Sequence, residues 1–224
     1  MKAVARVVGF GLVELIVFGL VLFSLAGTLD FWQAWVFLVV FALSTWIPSI
    51  LLQQTNPEAH QRRKHAGPAA ETRTVQKILI GGWYLSLAAM VVVSALDHRF
   101  DWSSVPAAIC VAGDVLVAVG LGVTSLVVIQ NSFAASTVQV ESGQKLASTG
   151  LYGLVRHPMY TGNVLTIIGF PLALGSYWGL LPVIPGLIVL VIRIRDEEKL
   201  LVEELDGYRE YAQKARYRLV PYMW

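Results

Sequence analysis

Long apolar runs separated by short polar stretches dominate the chain. Residues 7–29 are apolar apart from Glu14, and 31–52 carry no charge. Residues 78–96 are uncharged, and 105–129 carry only Asp114. A run of 32 residues, 161–192, is also uncharged. A bilayer-crossing helix needs about 20 apolar residues, so the first four runs predict four spans. The first run is too long for a signal peptide and lacks a small-residue cleavage site. The fifth would reach about 48 Å as one helix, against a hydrocarbon core of about 30 Å. Its middle reads Gly175-Ser176-Tyr177-Trp178-Gly179, with Pro182 and Pro185 following. Gly and Ser mark a turn, and Tyr and Trp favour the membrane interface. The pattern predicts a helical hairpin with arms near 161–175 and 177–194. The fold class expected is an all-α polytopic bundle of about six spans, divided into four N-terminal spans (1–130) and a catalytic region (131–224).

Charge placement predicts orientation. With six spans, both termini and 16 of the 17 Lys and Arg residues fall on one side, leaving Arg99 alone on the other. Because cytoplasmic loops carry the positive excess, that side is expected to be cytoplasmic. Five spans would put the cationic tail outside. The loop 53–76 reads as a solvated basic loop touching anionic lipid, and 136–148 as a short hairpin or ordered loop.

Composition narrows the class. Hydrophobic residues make up 56% and charged ones 14%, well under the roughly 25% charged of soluble domains. The net charge of +2 is too small for a nucleic-acid binder. A single cysteine, Cys110, excludes an intrachain disulfide and reads as a small buried residue. His60, His65 and His98 lack ligand spacing, so no metal is expected. Fourteen of the 32 charged residues lie in 193–224.

Two polar clusters flank the predicted hairpin: 150–163, containing Arg156-His157-Pro158, and 193–199, containing Arg193, Arg195, Asp196, Glu197 and Glu198. If the chain enters and leaves the membrane on one face, parity brings the clusters together. The second cluster is expected to start an amphipathic helix with Ile194, Leu201, Leu205, Tyr208 and Ala212 on one stripe. Glu197 and Glu198 would flank that stripe and require partners, and Arg193 is placed to supply one at i, i+4. Plainer readings stand beside this: a salt-bridged interfacial helix that anchors the tail, and an arginine that snorkels beside a helix-starting proline. Glu14 and Asp114 are ionisable groups inside spans; interhelical hydrogen bonding or water is the simpler reading of Asp114.

The pattern Gly150-x-Tyr152-x3-Arg156-His157-Pro158-x-Tyr160-x-Gly162, a hydrophobic hairpin, then Arg195-x-Glu197-Glu198 and a tail Tyr208-x2-Tyr211-x4-Arg216-Tyr-Arg218-x2-Pro221 resembles the isoprenylcysteine carboxyl methyltransferase family. Phospholipid methyltransferases share the paired glutamates. The resemblance covers about residues 120–224. It implies S-adenosylmethionine as methyl donor, bound in a cap at the cytoplasmic face, and a lipophilic or prenylated acceptor, most simply an isoprenylcysteine carboxylate. It implies that Tyr152, Arg156, His157, Tyr160, Gly162, Glu197 and Glu198 line the cofactor pocket, with Arg195 holding an acceptor carboxylate. Arg156, Arg195 and Glu198 are then the residues expected nearest the chemistry, and Gln130 and Asn131 are placed to line the acceptor pocket. A carboxylate acceptor needs no general base, whereas an amine would need a glutamate or His157. Two alternatives remain. Sterol-type NADPH-dependent reductases have a similar Arg-His-Pro-x-Tyr-x-Gly motif but usually an acidic residue where this chain has Asn163. A non-enzymatic transporter or scaffold would place its charges at the midplane.

Overall fold

The structure, a computed structural model, describes residues 2–57, 59–60, 71, 73–131, 134, 144 and 146–224. The expected ordered segment at 136–148 and most of the basic loop lie largely outside the described residues. The helices are α1 (Lys2–Ala26), α2 (Trp32–Thr55), α3 (Thr74–Phe100), α4 (Ala107–Gln130), α5 (Pro158–Ala173), α6 (Val183–Glu204) and the short α7 (Tyr208–Lys214). No strand occurs among the described residues. Five helices are long and apolar enough to cross a membrane: α1 to α4, and α6 with the turn before it. Their outer faces are apolar, with Phe10, Leu20, Ile78 and Leu85 all more than 60% exposed. Lipid is the solvent that such a surface requires, and the chain is an integral membrane protein.

The hairpin is present with shifted arms. Its first arm is α5, 16 residues or about 24 Å, which is shorter than the hydrocarbon core. Pro158 starts it at the position where a missing N–H costs nothing. Pro171 removes a backbone donor near its far end, and the helix stops at Ala173. Gly175, at φ +69°, takes the left-handed backbone that reverses the chain. Ser176 is fully buried in the tip. Its hydroxyl donates to Asp97 Oδ2 at 2.5 Å and accepts from the Gly179 amide at 2.8 Å, while Ser103 Oγ donates to the same Asp97 oxygen at 2.7 Å. The end of α3 thus clamps the bend. Trp102 and Trp178, both exposed, meet edge to face beside it, as interface anchors do.

The arms do not pack mainly on each other. Instead α5 lies on α4, and α6 on α3. The α4–α5 contact is antiparallel and built on four glycines spaced by seven, Gly113 and Gly120 against Gly169 and Gly162. A Cβ on Gly162 would meet the Gly120 carbonyl oxygen at 2.6 Å, and one on Gly169 would meet that of Gly113 at the same distance. Small residues permit this backbone approach, which is how helices associate where no hydrophobic effect drives them. A ring cluster of Phe18, Phe37, Phe41 and Phe170 joins α1, α2 and α5, with Phe37 and Phe170 edge to face at 4.8 Å.

The amphipathic tail helix differs from the sequence expectation. The cluster 193–199 does not start a new helix; it occupies the second half of α6, continuous with the last span. The expected stripe is broken at Leu205–Gly207, where Gly207 adopts φ +80°, and Tyr208 begins a separate helix. Leu205, extended at φ −104°, ends α6, and the left-handed Gly207, a backbone open to glycine at little cost, leads into the next helix.

Replacing Gly162 with Leu is expected to force α4 from α5 and lower the melting temperature in detergent, at a cost of at least about 1–3 kcal/mol for overpacking. Gly122→Ala, where nothing lies within 4 Å of the added Cβ, is the matched control and should leave the melting curve unchanged.

Candidate active site

Glu198 sits at the centre of the polar end of the bundle and is only 8% exposed. Three cationic or titratable groups from two segments surround it. Arg156 Nε lies 3.2 Å and His157 Nε2 3.3 Å from its Oε1, and Arg218 Nε donates to Oε2 at 2.8 Å. Glu197, the next residue, accepts from Tyr160 Oη at 2.6 Å. Tyr160 in turn accepts from Arg193 Nε at 2.8 Å. The expected Arg193–Glu197 pairing along α6 is therefore bridged by a tyrosine from α5. His157 stands between the two carboxylates, its Nδ1 3.9 Å from Glu197 Oε1.

Local sequence explains the position of Arg156 and His157. Pro158 excludes helical backbone from the residue before it, and His157 is accordingly non-helical at φ −126°. The Arg156 and His157 amides are thus free to donate to the carbonyls of Tyr217 and Arg218, each at 2.9 Å. Thr161 Oγ1 donates to the Leu219 carbonyl at 2.7 Å. The C-terminal segment is laid along the start of α5, and the Arg218 guanidinium lies over the Trp224 ring at 5.2 Å.

Tyr152, in a 3-10 turn at Gly150–Gly153, forms a second wall. Asn131 Nδ2 donates to its hydroxyl at 3.2 Å, and Tyr211 Oη donates to its carbonyl at 2.8 Å. Gln130 Oε1 accepts from the Leu151 amide at 3.0 Å. Gln130 and Asn131 thus fasten this turn to the end of α4. Tyr208 and Tyr211 are buried against Tyr152 and Leu201. Burial, with the Glu198 charge next, pushes the Tyr208 phenol up from its ordinary range; burial and then Tyr152 do the same for Tyr211. Burial likewise raises Tyr152, so all three phenols stay neutral.

Arg156, His157, Tyr160, Glu197 and Glu198 are brought together, with Tyr152 beside them. Gly162 lies in the α4–α5 contact, and Arg195 is exposed without a hydrogen bond or ion pair among the described residues. Local pattern names Asp196 only as a member of the second cluster and does not mark Arg73, Gln76 or Glu71. Arg73 pairs with Asp196 through both guanidinium ends, at 2.9 and 3.0 Å, and Gln76 Nε2 donates to Asp196 at 2.5 Å. Glu71, 2% exposed, accepts from the Arg73 amide and acts electrostatically on Arg193. A basic loop beside a charged helix carries no signal of pairing across 123 residues. Glu14 is exposed on α1, and both oxygens of Asp114 are buried with no hydrogen-bond partner among the described residues, so of its two expected roles the interhelical bond is not seen there.

Fold and site together define an integral membrane helical bundle with a buried ion network where its last span emerges. Residues 108–207, from α4 through the glutamate pair, match the model of the phospholipid methyltransferase family. The chain is also similar to Delta(14)-sterol reductase TM7SF2 of Mus musculus, 29% identical over 92 residues that cover 39% of this chain and 22% of the relative. That match spans less than a quarter of the reductase's length.

Arg218→Ala is expected to raise hydrogen exchange across 217–224 and at the Arg156 and His157 amides, whose acceptors lie in that segment. Protection in α4 and α5 should persist. Uniform exchange throughout the bundle would contradict this local role.

Proposed function

We propose that this chain transfers a methyl group from S-adenosylmethionine to a lipophilic acceptor at the cytoplasmic membrane face, most simply the carboxylate of an isoprenylcysteine-like molecule. One observation carries the reading: adjacent carboxylates, the half-buried Glu197 and the buried Glu198, are held against Arg156, His157 and Tyr160, inside a stretch matching a methyltransferase family. The residues present fit the donor. Carboxylates suit ribose hydroxyls or a sulfonium charge, tyrosine faces suit a cation or a flat base, and the buried Tyr208 hydroxyl and Arg156 Nε–H have no hydrogen-bond partner among the described residues. Tyr152, Arg156, His157, Tyr160, Glu197 and Glu198 would hold it.

S-adenosylmethionine supplies an electrophilic methyl group on a positively charged sulfur. A carboxylate acceptor is already anionic, so this chain's residues have no proton to remove. Their task is to hold both partners in line and exclude water. An arginine clamps a carboxylate well because its planar fork matches two oxygens. Arg195, exposed where α6 emerges, is free to take that part.

A cavity of about 250 Å³ between α2 and α4 supports a lipophilic acceptor. It mixes Ser44, Ser49 and Ser125 with Leu52, Val128 and Ile129, as suits an amphiphile. Pro48 interrupts α2 there and cannot bond the carbonyl one turn back. Met159, two residues beyond His157, packs on the Leu52–Val128 cluster at the cavity's edge. The membrane orientation proposed follows the charge bias: termini and site cytoplasmic, the Gly175–Ser176 bend and Arg99 opposite.

The sterol reductase similarity favours a second reading, an NADPH-dependent reductase. Calorimetry on detergent-purified protein separates the two. Binding of S-adenosylmethionine without NADPH binding is expected, and Glu198→Gln should abolish it while the protein still inserts. NADPH binding alone would overturn the methyl-transfer reading.

Orientation has its own test. Cys110 is fully buried, so an added cysteine becomes the reactive one. Met223→Cys should react with an impermeant maleimide only after the cytoplasmic side is opened, and Ser104→Cys in intact cells.

A further inference from the structure

Tyr208 is 3% exposed, yet its hydroxyl has no hydrogen-bond partner among the described residues. A buried hydroxyl left unpaired weakens the fold, so its presence in a native structure calls for an explanation, and a bound group that completes it is one. The position is not a remote core site. Tyr208 lies within electrostatic reach of Arg156, Glu197 and Glu198, and its ring is tilted against Tyr211 at 5.7 Å. A second donor has the same property. Arg156 Nε is buried 3.2 Å from Glu198 Oε1 but without hydrogen-bond alignment, so its N–H also lacks an acceptor.

Both unsatisfied groups are donors. The Tyr208 phenol stays protonated because burial and the neighbouring Glu198 charge disfavour its ionised form, and an arginine has no acceptor to offer. Both buried donors lie within reach of Glu198, and a ligand carboxylate, with two oxygens and up to four lone-pair positions, can accept from both. The other polar groups nearby are already engaged: Tyr160 with Glu197 and Arg193, Tyr211 with the Tyr152 carbonyl, Arg218 with Glu198.

We propose that the Tyr208 hydroxyl and the Arg156 Nε–H form a seat for the carboxylate of a bound ligand. The inference rests on the methyl-transfer reading, in which two ligands bring a carboxylate: the methionyl part of the donor, and an isoprenylcysteine-type acceptor.

Tyr208→Phe removes one oxygen and keeps the ring in place. No hydrogen bond of the ligand-free protein is lost, so its melting temperature should stay level or rise. Equilibrium binding of three probes then locates the seat. If it holds the donor's carboxylate, S-adenosylhomocysteine binds about tenfold or more weakly, the loss expected for a hydrogen bond to a charged group, while 5′-methylthioadenosine, which lacks the carboxylate, binds as before. If it holds the acceptor's, S-adenosylhomocysteine is unaffected and N-acetyl-S-farnesylcysteine weakens by a similar factor, its methyl ester unchanged. Equal binding of every probe by variant and wild type overturns the seat, as does a lowered melting temperature with unchanged binding, the mark of a hydroxyl that serves only the fold. Wild-type protein that binds none of the probes overturns the methyl-transfer reading, and the seat with it.

Discussion

A carboxylate buried where a membrane helix leaves its apolar surroundings must be matched by positive charge, and the polar end of this molecule is organised by that need. Glu198 receives Arg156, His157 and Arg218 from the two sides of the chain around it. Each contact also fixes a backbone: Arg156 and His157 precede α5, and Arg218 belongs to the segment lying across them. Removing one partner of such a buried set costs about 3–5 kcal/mol, so the ion network and the local fold stand or fall together. Burial also strengthens every charge interaction in the site compared with water, which is what positioning a charged ligand requires.

That convergence depends on distant packing. Glycines at 113, 120, 162 and 169 let α4 and α5 approach backbone to backbone, and this sets the depth of His157 relative to α6. At the far end Asp97 clamps Ser176, so the bend cannot slide and Glu197 and Glu198 return at the height of Tyr160. Short α5 and long α6 then differ in a useful way. The longer α6 leaves Arg195 exposed while Glu198, three residues further along, stays covered against the start of α5.

The chemistry proposed for the site uses this rigidity in place of acid–base catalysis. Neutral tyrosines, paired glutamates and fixed arginines provide orientation and charge, and a carboxylate acceptor asks for little more. The outer ring of Arg73, Gln76, Asp196 and Glu71 joins the start of α3 to the same end of α6, so the site draws on the N-terminal helices as well as on the matched family region.

Periodicity and length alone marked the membrane helices, because a hydrocarbon solvent leaves few alternatives for an apolar run of about 20 residues. Turn residues marked the hairpin, and its parity brought Arg156-His157 to Glu197-Glu198. The ends of elements were harder to read. Glu204 and Gly207, rather than Arg193, bound the last helix and its break, since hydropathy falls at 193 although the backbone hydrogen bonding continues. Pairings such as Arg73 with Asp196, Arg193 with Tyr160 and Arg218 with Glu198 left no trace in local pattern. They depend on distances between helices, which side-chain volumes at Gly113, Gly120, Gly162 and Gly169 decide only once the bundle is assembled. The sequence by itself determined a helical membrane protein with its charges gathered at one end; the tertiary structure decided which charge meets which, because a buried carboxylate selects its partners by proximity in space.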